Sequence, residues 1–209
     1  MKKLFLLVVL LFSNGAFAGL IGSIEHTYGS SAFTPGFLAN QGCDTKNANS
    51  LTVKDNSGCQ RFVDLFDFSA FNFDTIEYFQ LDLTFSSTKN DTCFFFICDY
   101  ESWHVRPAAS TTNAPASGLQ SLIRANGITQ QSFFFTADNL SVFADIVDNK
   151  KFYLWFAENS LGNDQFNLYG ANLSLHGTLP TVNDVNPVPA PAGIALLSLG
   201  LLLLRRFKK

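Results

Sequence analysis

Phe79, Leu81, Leu83 and Phe85 fall on every second residue, and Gln80, Asp82, Thr84 and Ser86 fill the positions between them. Successive side chains of a strand point to opposite faces, so this run predicts a strand with one apolar and one polar face. The alternation recurs downstream. Ser102, His104 and Arg106 alternate with Trp103 and Val105, and Phe152, Leu154 and Phe156 alternate with Tyr153 and Trp155. Phe166 and Leu168 share one parity, whereas Ala171, Leu173 and Leu175 share the other. The switch at Gly170 predicts a bulge, because one extra residue flips the face and glycine tolerates the required dihedrals. Phe66 and Phe68 give way to Phe71 and Phe73 in the same manner around Ser69–Ala70. Turn-forming clusters at 86–91, 107–118, 148–151 and 158–164 separate these runs. Only Asp138–Val147 has helical spacing, with Asp138 as the expected cap and Leu140, Phe143 and Ile146 three apart.

Many short strands with almost no helix predict an all-β fold, a β-sandwich of jelly-roll-like type. Its filling is expected to be aromatic, since phenylalanine supplies 23 of 209 residues. Charged residues make up only 15%, against the roughly 25% of an average soluble protein, and that excludes a disordered chain. Between Gly19 and Asn186 there are 8 basic and 17 acidic side chains, a net −9. A body of that sign excludes nucleic acid as a partner, because phosphate binding needs clustered Lys and Arg.

Six of the 14 basic residues lie at the two chain ends. At the N-terminus, Lys2 and Lys3 precede the apolar run Leu4–Phe12, and Ala16-Phe17-Ala18 follows. Positive n-region, short apolar run and small residues before the cut are the three parts of a secretory signal peptide. Signal peptidase is expected to cut between Ala18 and Gly19. The nine apolar residues span about 13 Å as a helix, far short of the roughly 30 Å hydrocarbon core. At the C-terminus, Ala192–Leu204 is an uncharged stretch followed by Arg205, Arg206, Lys208 and Lys209. Basic residues flanking an apolar helix stay cytoplasmic, which puts the body outside. About 20 Å of helix is marginal for a lasting anchor.

The motif Val188-Pro189-Ala190-Pro191, the apolar stretch and the terminal Arg/Lys cluster together resemble the PEP-CTERM protein-sorting signal of Gram-negative bacteria. Ala190 stands where the family most often has Glu. The resemblance covers about the last 22 residues and implies recognition by an exosortase, cleavage near the motif and release to the exterior. It further implies association with exopolysaccharide or biofilm matrix. A simple tail anchor is the alternative. The expected organisation is a signal peptide (1–18), a β-sandwich ectodomain (19–179), a linker (180–187) and a sorting signal (188–209) with a transmembrane segment at 192–204.

Cys43, Cys59, Cys93 and Cys98 all lie in the exported body. An even number in an oxidising compartment predicts two disulfides, for which three pairings exist. The local one joins Cys43 to Cys59, closing a loop of about 15 residues worth roughly 3 kcal/mol, and Cys93 to Cys98. Along a straight strand Cys93 and Cys98 would stand about 16 Å apart, so local pairing requires Phe94–Ile97 to turn tightly. If that quartet is instead a buried strand, the cysteines pair elsewhere.

No nucleophile elbow, zinc-protease helix, phosphate loop or dinucleotide fingerprint is present. His26, His104 and His176 are scattered, and Asp64 with Asp67 read as turn residues rather than a glycosidase pair. Glu158-Asn159 and Asn163-Asp164 carry oxygens of the kind a structural Ca²⁺ uses, but read first as a hydrogen-bonded turn. No enzyme activity, cofactor or metal is expected. The leading reading is a non-catalytic surface or matrix protein. The alternative is a carbohydrate-binding module, in which Tyr100, His104 and Arg106, or Tyr153 and Trp155, offer outward aromatic and polar groups to a sugar.

Overall fold

The computed structural model of the chain describes residues 18–29, 44–55, 62–89, 91–94, 97–111, 118–158 and 164–180, with 92–99 described as backbone only. Its strands in chain order are β1 (Gly19–Thr27), β2 (Thr45–Lys46), β3 (Leu51–Asp55), β4 (Val63–Asp67), β5 (Thr75–Ser86) and β6 (Thr92–Phe94). They continue with β7 (Ile97–Asp99), β8 (Trp103–Ala108), β9 (Gln120–Ser121), β10 (Thr129–Thr136), β11 (Lys151–Glu158) and β12 (Asp164–Thr178). Among the described residues a helix, α1 (Phe143–Asn149), lies between β10 and β11.

Two antiparallel sheets form the sandwich. One runs β10-β5-β12-β3-β2, with β1 also paired to β12, and the other runs β4-β11-β8-β9. β3, β4, β5, β8, β9, β10, β11 and β12 form an eight-strand series. In that series one sheet holds members one, eight, three and six side by side, and the other holds two, seven, four and five. This interleaving is the double Greek key of a jelly roll. The long strand β12 makes it possible: its first half pairs with β3 (Asp164↔Asp55 to Leu168↔Leu51) and its second half with β1 (Thr27↔Gly170 to Gly19↔Gly177).

The expected bulge is present. Register against β5 shifts between Leu168 and Gly170, so Phe166 and Leu168 before it, and Ala171, Leu173 and Leu175 after it, all face the core. A second shift at His176/Gly177 lets β5 come so close that a Cβ on Gly177 would sit 2.0 Å from the Thr75 carbonyl oxygen. The parity switch around Ser69–Ala70 has another cause. β4 ends at Asp67, whose Oδ1 accepts the Ser69 N–H at 2.9 Å, and the Phe71 N–H closes a turn onto the Phe68 carbonyl at 3.0 Å. Hydrogen bonding from the Ser69 backbone N–H, and then from its side chain, holds the Asp67 carboxyl below its ordinary pKa. The chain turns out of the sheet there instead of bulging within it.

The core is aromatic, as composition predicted. Phe152 contacts Phe66, Phe79 and Phe135 at centroid distances of 6.3, 5.6 and 6.0 Å. Phe166 contacts Trp103, Phe156 and Phe85 at 4.7, 4.9 and 6.5 Å. These edge-on and tilted pairs match the ring quadrupoles. Helix α1 covers the end of the core with Phe143 and Ile146. Its N-cap is Val142, without a side-chain cap, so Asp138 does not cap it. Leu140 is fully buried and belongs to the turn that precedes the helix.

Pro107, expected in a loop, lies within β8 opposite Leu154. β9 pairs with His104 and Val105, so among the described residues Pro107 lies on a locally free edge where no N–H is required. The compact unit containing these strands ends at Leu179. Among the described residues no helix is long and apolar enough to cross a membrane. The signal peptide to Phe17, the linker from residue 181, and the tail from Val188 to Lys209 with its 192–204 segment lie outside the described residues.

Candidate functional site

Three polar arrangements stand out on this frame. The first is internal. β1 turns His26 inward and β4 turns Asp64 inward, each in line with core neighbours. His26 Nδ1 lies 2.7 Å from Asp64 Oδ2, and the Tyr28 hydroxyl donates to the same oxygen at 2.6 Å. Asp64 Oδ1 accepts its neighbour Leu65's N–H at 2.8 Å. His26 also stacks on Phe66 at 4.2 Å. Burial, and then the neighbouring Asp64 carboxylate, push the Tyr28 phenol well above its usual pKa, which keeps it a donor. Asp64 is therefore a fully buried strand residue and not a turn residue. It ties the β1 edge of one sheet to the β4 edge of the other. With Asp64 at 0%, Tyr28 at 1% and His26 at 7% exposure, a polymer has no access to this cluster.

The second is the outer face of the four-stranded sheet, where the sequence placed a sugar platform. Tyr153, Trp155, His104 and Arg106 do share that face: Trp155 stands opposite Arg106, and Tyr153 opposite Ala108. All four are half-buried. Trp155 Nε1 and His104 Nδ1 are buried and without a hydrogen-bond partner. Tyr100 does not join them. It lies outside the strands, 61% exposed, with the Arg124 guanidinium 5.0 Å over its ring.

The third is the outer face of the six-stranded sheet, and its assembly depends on pairings that a linear reading does not supply. Register builds four cross-strand rows. Thr136, Tyr78, His176 and Leu20 form the first, and Phe134, Gln80, Ser174 and Ser23 the second. Ser132, Asp82, Asn172 and Glu25 form the third, and Gln130, Thr84, Gly170 and Thr27 the fourth. At the first row Tyr78 and His176 stack at 4.4 Å, and Phe134 lies 6.2 Å from Tyr78 with 49% of its surface exposed. The Phe134 carbonyl accepts hydrogen bonds from Gln120 Nε2 at 2.7 Å and Asn139 Nδ2 at 3.0 Å, which fixes the backbone beneath the ring. Gln80 Nε2 holds both oxygens of Asp82, at 3.0 and 3.1 Å. A trough of about 340 Å³ follows, lined by Glu25, Asp82, Thr84, Gln130, Ser132 and Asn172. Farther along the same face a second trough of about 260 Å³ lies among Thr45, Thr52, Lys54, Gln165 and Asn167.

The sequence reading placed Gln80, Asp82 and Thr84 on the polar face and missed Phe134, Tyr78, His176, Glu25 and Asn172. A signal for Phe134 was present: as the middle of three consecutive phenylalanines in a strand, it must face away from Phe133 and Phe135.

Cys93 stands directly opposite Cys98 in the β6–β7 ladder. Phe94 stands opposite Ile97 in the same antiparallel ladder, the juxtaposition that local pairing requires. Opposed strand residues are within the Cα separation a disulfide bridges. Cys43 and Cys59 lie outside the described residues, as do Asn159 and Asn163 of the turn weighed for Ca²⁺. Among the described residues no group of acidic, His and Cys side chains could hold a metal ion.

No known family's model and no curated protein matches the chain. Among solved structures it is similar to the Tobacco streak virus coat protein, at 10% identity over 67% of this chain and 94% of that one, with a TM-score of 0.26. It is also similar to the enzymatically active domain of tailspike protein 4 from bacteriophage CBA120, at 12% identity over 80% of this chain and 20% of that one, with a TM-score of 0.27.

Proposed function

We propose that this chain is a non-catalytic, exported jelly-roll protein of the cell surface or extracellular matrix, delivered through a C-terminal segment read by an exosortase. The observation that carries the reading is a coincidence of boundaries. The signal-peptide pattern leaves Gly19 as the first mature residue, and β1 begins at Gly19. β12 ends at Thr178, just before the expected linker. The described strands thus lie within the stretch that export would deliver. The inaccessibility of the His26–Asp64–Tyr28 cluster supports a non-catalytic role. Fractionation of the native host tests delivery. The full chain is expected in the surface or extracellular fraction, and a chain truncated before Val188 in the periplasm. Equal surface recovery of both forms contradicts a sorting role for the tail.

A carbohydrate-binding module at the cell surface is the second reading. It is favoured by the exposed Phe134 ring beside Tyr78 and by the polar rows that follow.

A further inference from the structure

We propose that the outer face of the six-stranded jelly-roll sheet, and not the Tyr153/Trp155 face, binds a polysaccharide strand that carries no acidic groups. The inference rests on the carbohydrate-binding reading and gives it a site and a charge preference.

A sugar ring has an apolar face of C–H groups and a rim of hydroxyls. A site for it needs an exposed flat apolar surface beside convergent hydrogen-bonding groups. The aromatic end of this face supplies the first. Phe134 is half exposed, although strands normally bury such a ring, and two side-chain amides fix its backbone. The adjoining trough supplies the second. The side chains of Glu25, Ser132 and Asn172 make no hydrogen bond or ion pair to other described residues, so their polar atoms are available to a ligand. From Tyr78 to Thr84 the face extends about 20 Å, and the trough volume falls at the lower end of the range for ligand sites, roughly 300–1,000 Å³.

Charge selects among saccharides. The four rows contain Glu25 and Asp82 and no Lys or Arg. The two carboxylates flank Asn172 on either side, so a uronate strand laid along the trough would meet like charge, whereas a neutral or amine-bearing strand would not. The opposite sheet face fits less well: Trp155 and Tyr153 are half-buried and Arg106 stands opposite Trp155, so among the described residues a flat exposed ring is lacking there.

The test is titration calorimetry of the purified full chain with cellohexaose, chitohexaose, chitosan hexamer and a hexameric alginate. At least one of the first three is expected to bind, with alginate at least tenfold weaker. Phe134→Ala is expected to lower affinity tenfold or more with an unchanged melting temperature, and Tyr153→Ala to leave it unaltered. Replacing both Glu25→Gln and Asp82→Asn is expected to narrow the gap to alginate. Absence of binding to all four would overturn the carbohydrate reading and this site together. Binding that Phe134→Ala leaves intact, or that Tyr153→Ala weakens, overturns the site alone. Sedimentation of the same samples separates a further occupant: a dimer that Phe134→Ala dissociates would make this face a self-association surface and contradict the proposal.

Discussion

Asp64 shows how one residue can set an edge of the sandwich. A carboxylate taken fully out of water is costly unless its lone pairs are filled, and here His26, Tyr28 and the Leu65 N–H fill them. Asp64→Ala would remove the carboxylate that His26 and the buried Tyr28 hydroxyl share and is expected to cost about 3 kcal/mol in urea unfolding. A loss within about 0.5 kcal/mol, the range of ordinary surface substitutions, would mean the cluster is not a tie between the sheets. The parity of Asp64 with Phe66 and Phe68 was a legible sign that it points inward. What it meets there was not legible, because His26 lies 38 residues away on another strand.

Asp44 carries a pH signature. Burial raises its carboxyl from an ordinary 3.8 to about 6, against the lowering effect of the Lys54 N–H that donates to Oδ1 at 3.1 Å. The other oxygen, Oδ2, is buried without a partner. Between pH 4 and 6 the folded chain therefore holds a proton that the unfolded chain has released. Stability from this group falls as pH rises through that window and is level above it. Comparison of urea midpoints at pH 4, 5, 6 and 7 should show a decline in the native chain that Asp44→Asn lacks. A native profile that rises from pH 4 to 6 to the same extent as the variant's would contradict the assignment.

At the scale of elements, period-two reading recovered β5, β8, β11 and β12, because each has one face in an aromatic core and the other outside it. The Gly170 bulge was legible for the same reason: the extra residue leaves a change of parity in the sequence. The second irregularity, at Gly177, comes after the last inward leucine, so no later core residue records the change of face. Gly177→Ala would press a methyl group into the Thr75 carbonyl and is expected to cost about 1–3 kcal/mol, as overpacking does. β1 was not recognised, since its inward positions include His26 and its register shifts between Leu20 and Gly22. The helix start was misplaced because a turn through Leu140 already delivers an apolar side chain to the core. Phe152 lies at the centre of three aromatic contacts, and Phe152→Ala is expected to lose about 3–5 kcal/mol. A smaller loss with the same fold, by calorimetric unfolding, would indicate that the neighbouring rings collapse into the space.

For the whole molecule, alternation of successive strands between the sheets brings residues far apart in sequence onto common faces. That is why the fold class was readable and the candidate site was not. Tyr78, Phe134 and His176 come from three strands, and only the β10-β5-β12 order makes them neighbours. Of the residues chosen from sequence, His104, Arg106, Tyr153 and Trp155 were visible within single strands and occupy the other sheet, while Tyr100 lies outside the strands. The jelly roll accounts for a body that folds between Gly19 and Thr178, while the signals that would send it outward lie at the two ends. The most direct measurement of that account is the intact mass of the surface-associated protein from its native host. A mature chain that begins at Gly19 and lacks Arg205–Lys209 is the expected result. A surface form that retains either Met1–Ala18 or Lys209 would contradict export and sorting through these two segments.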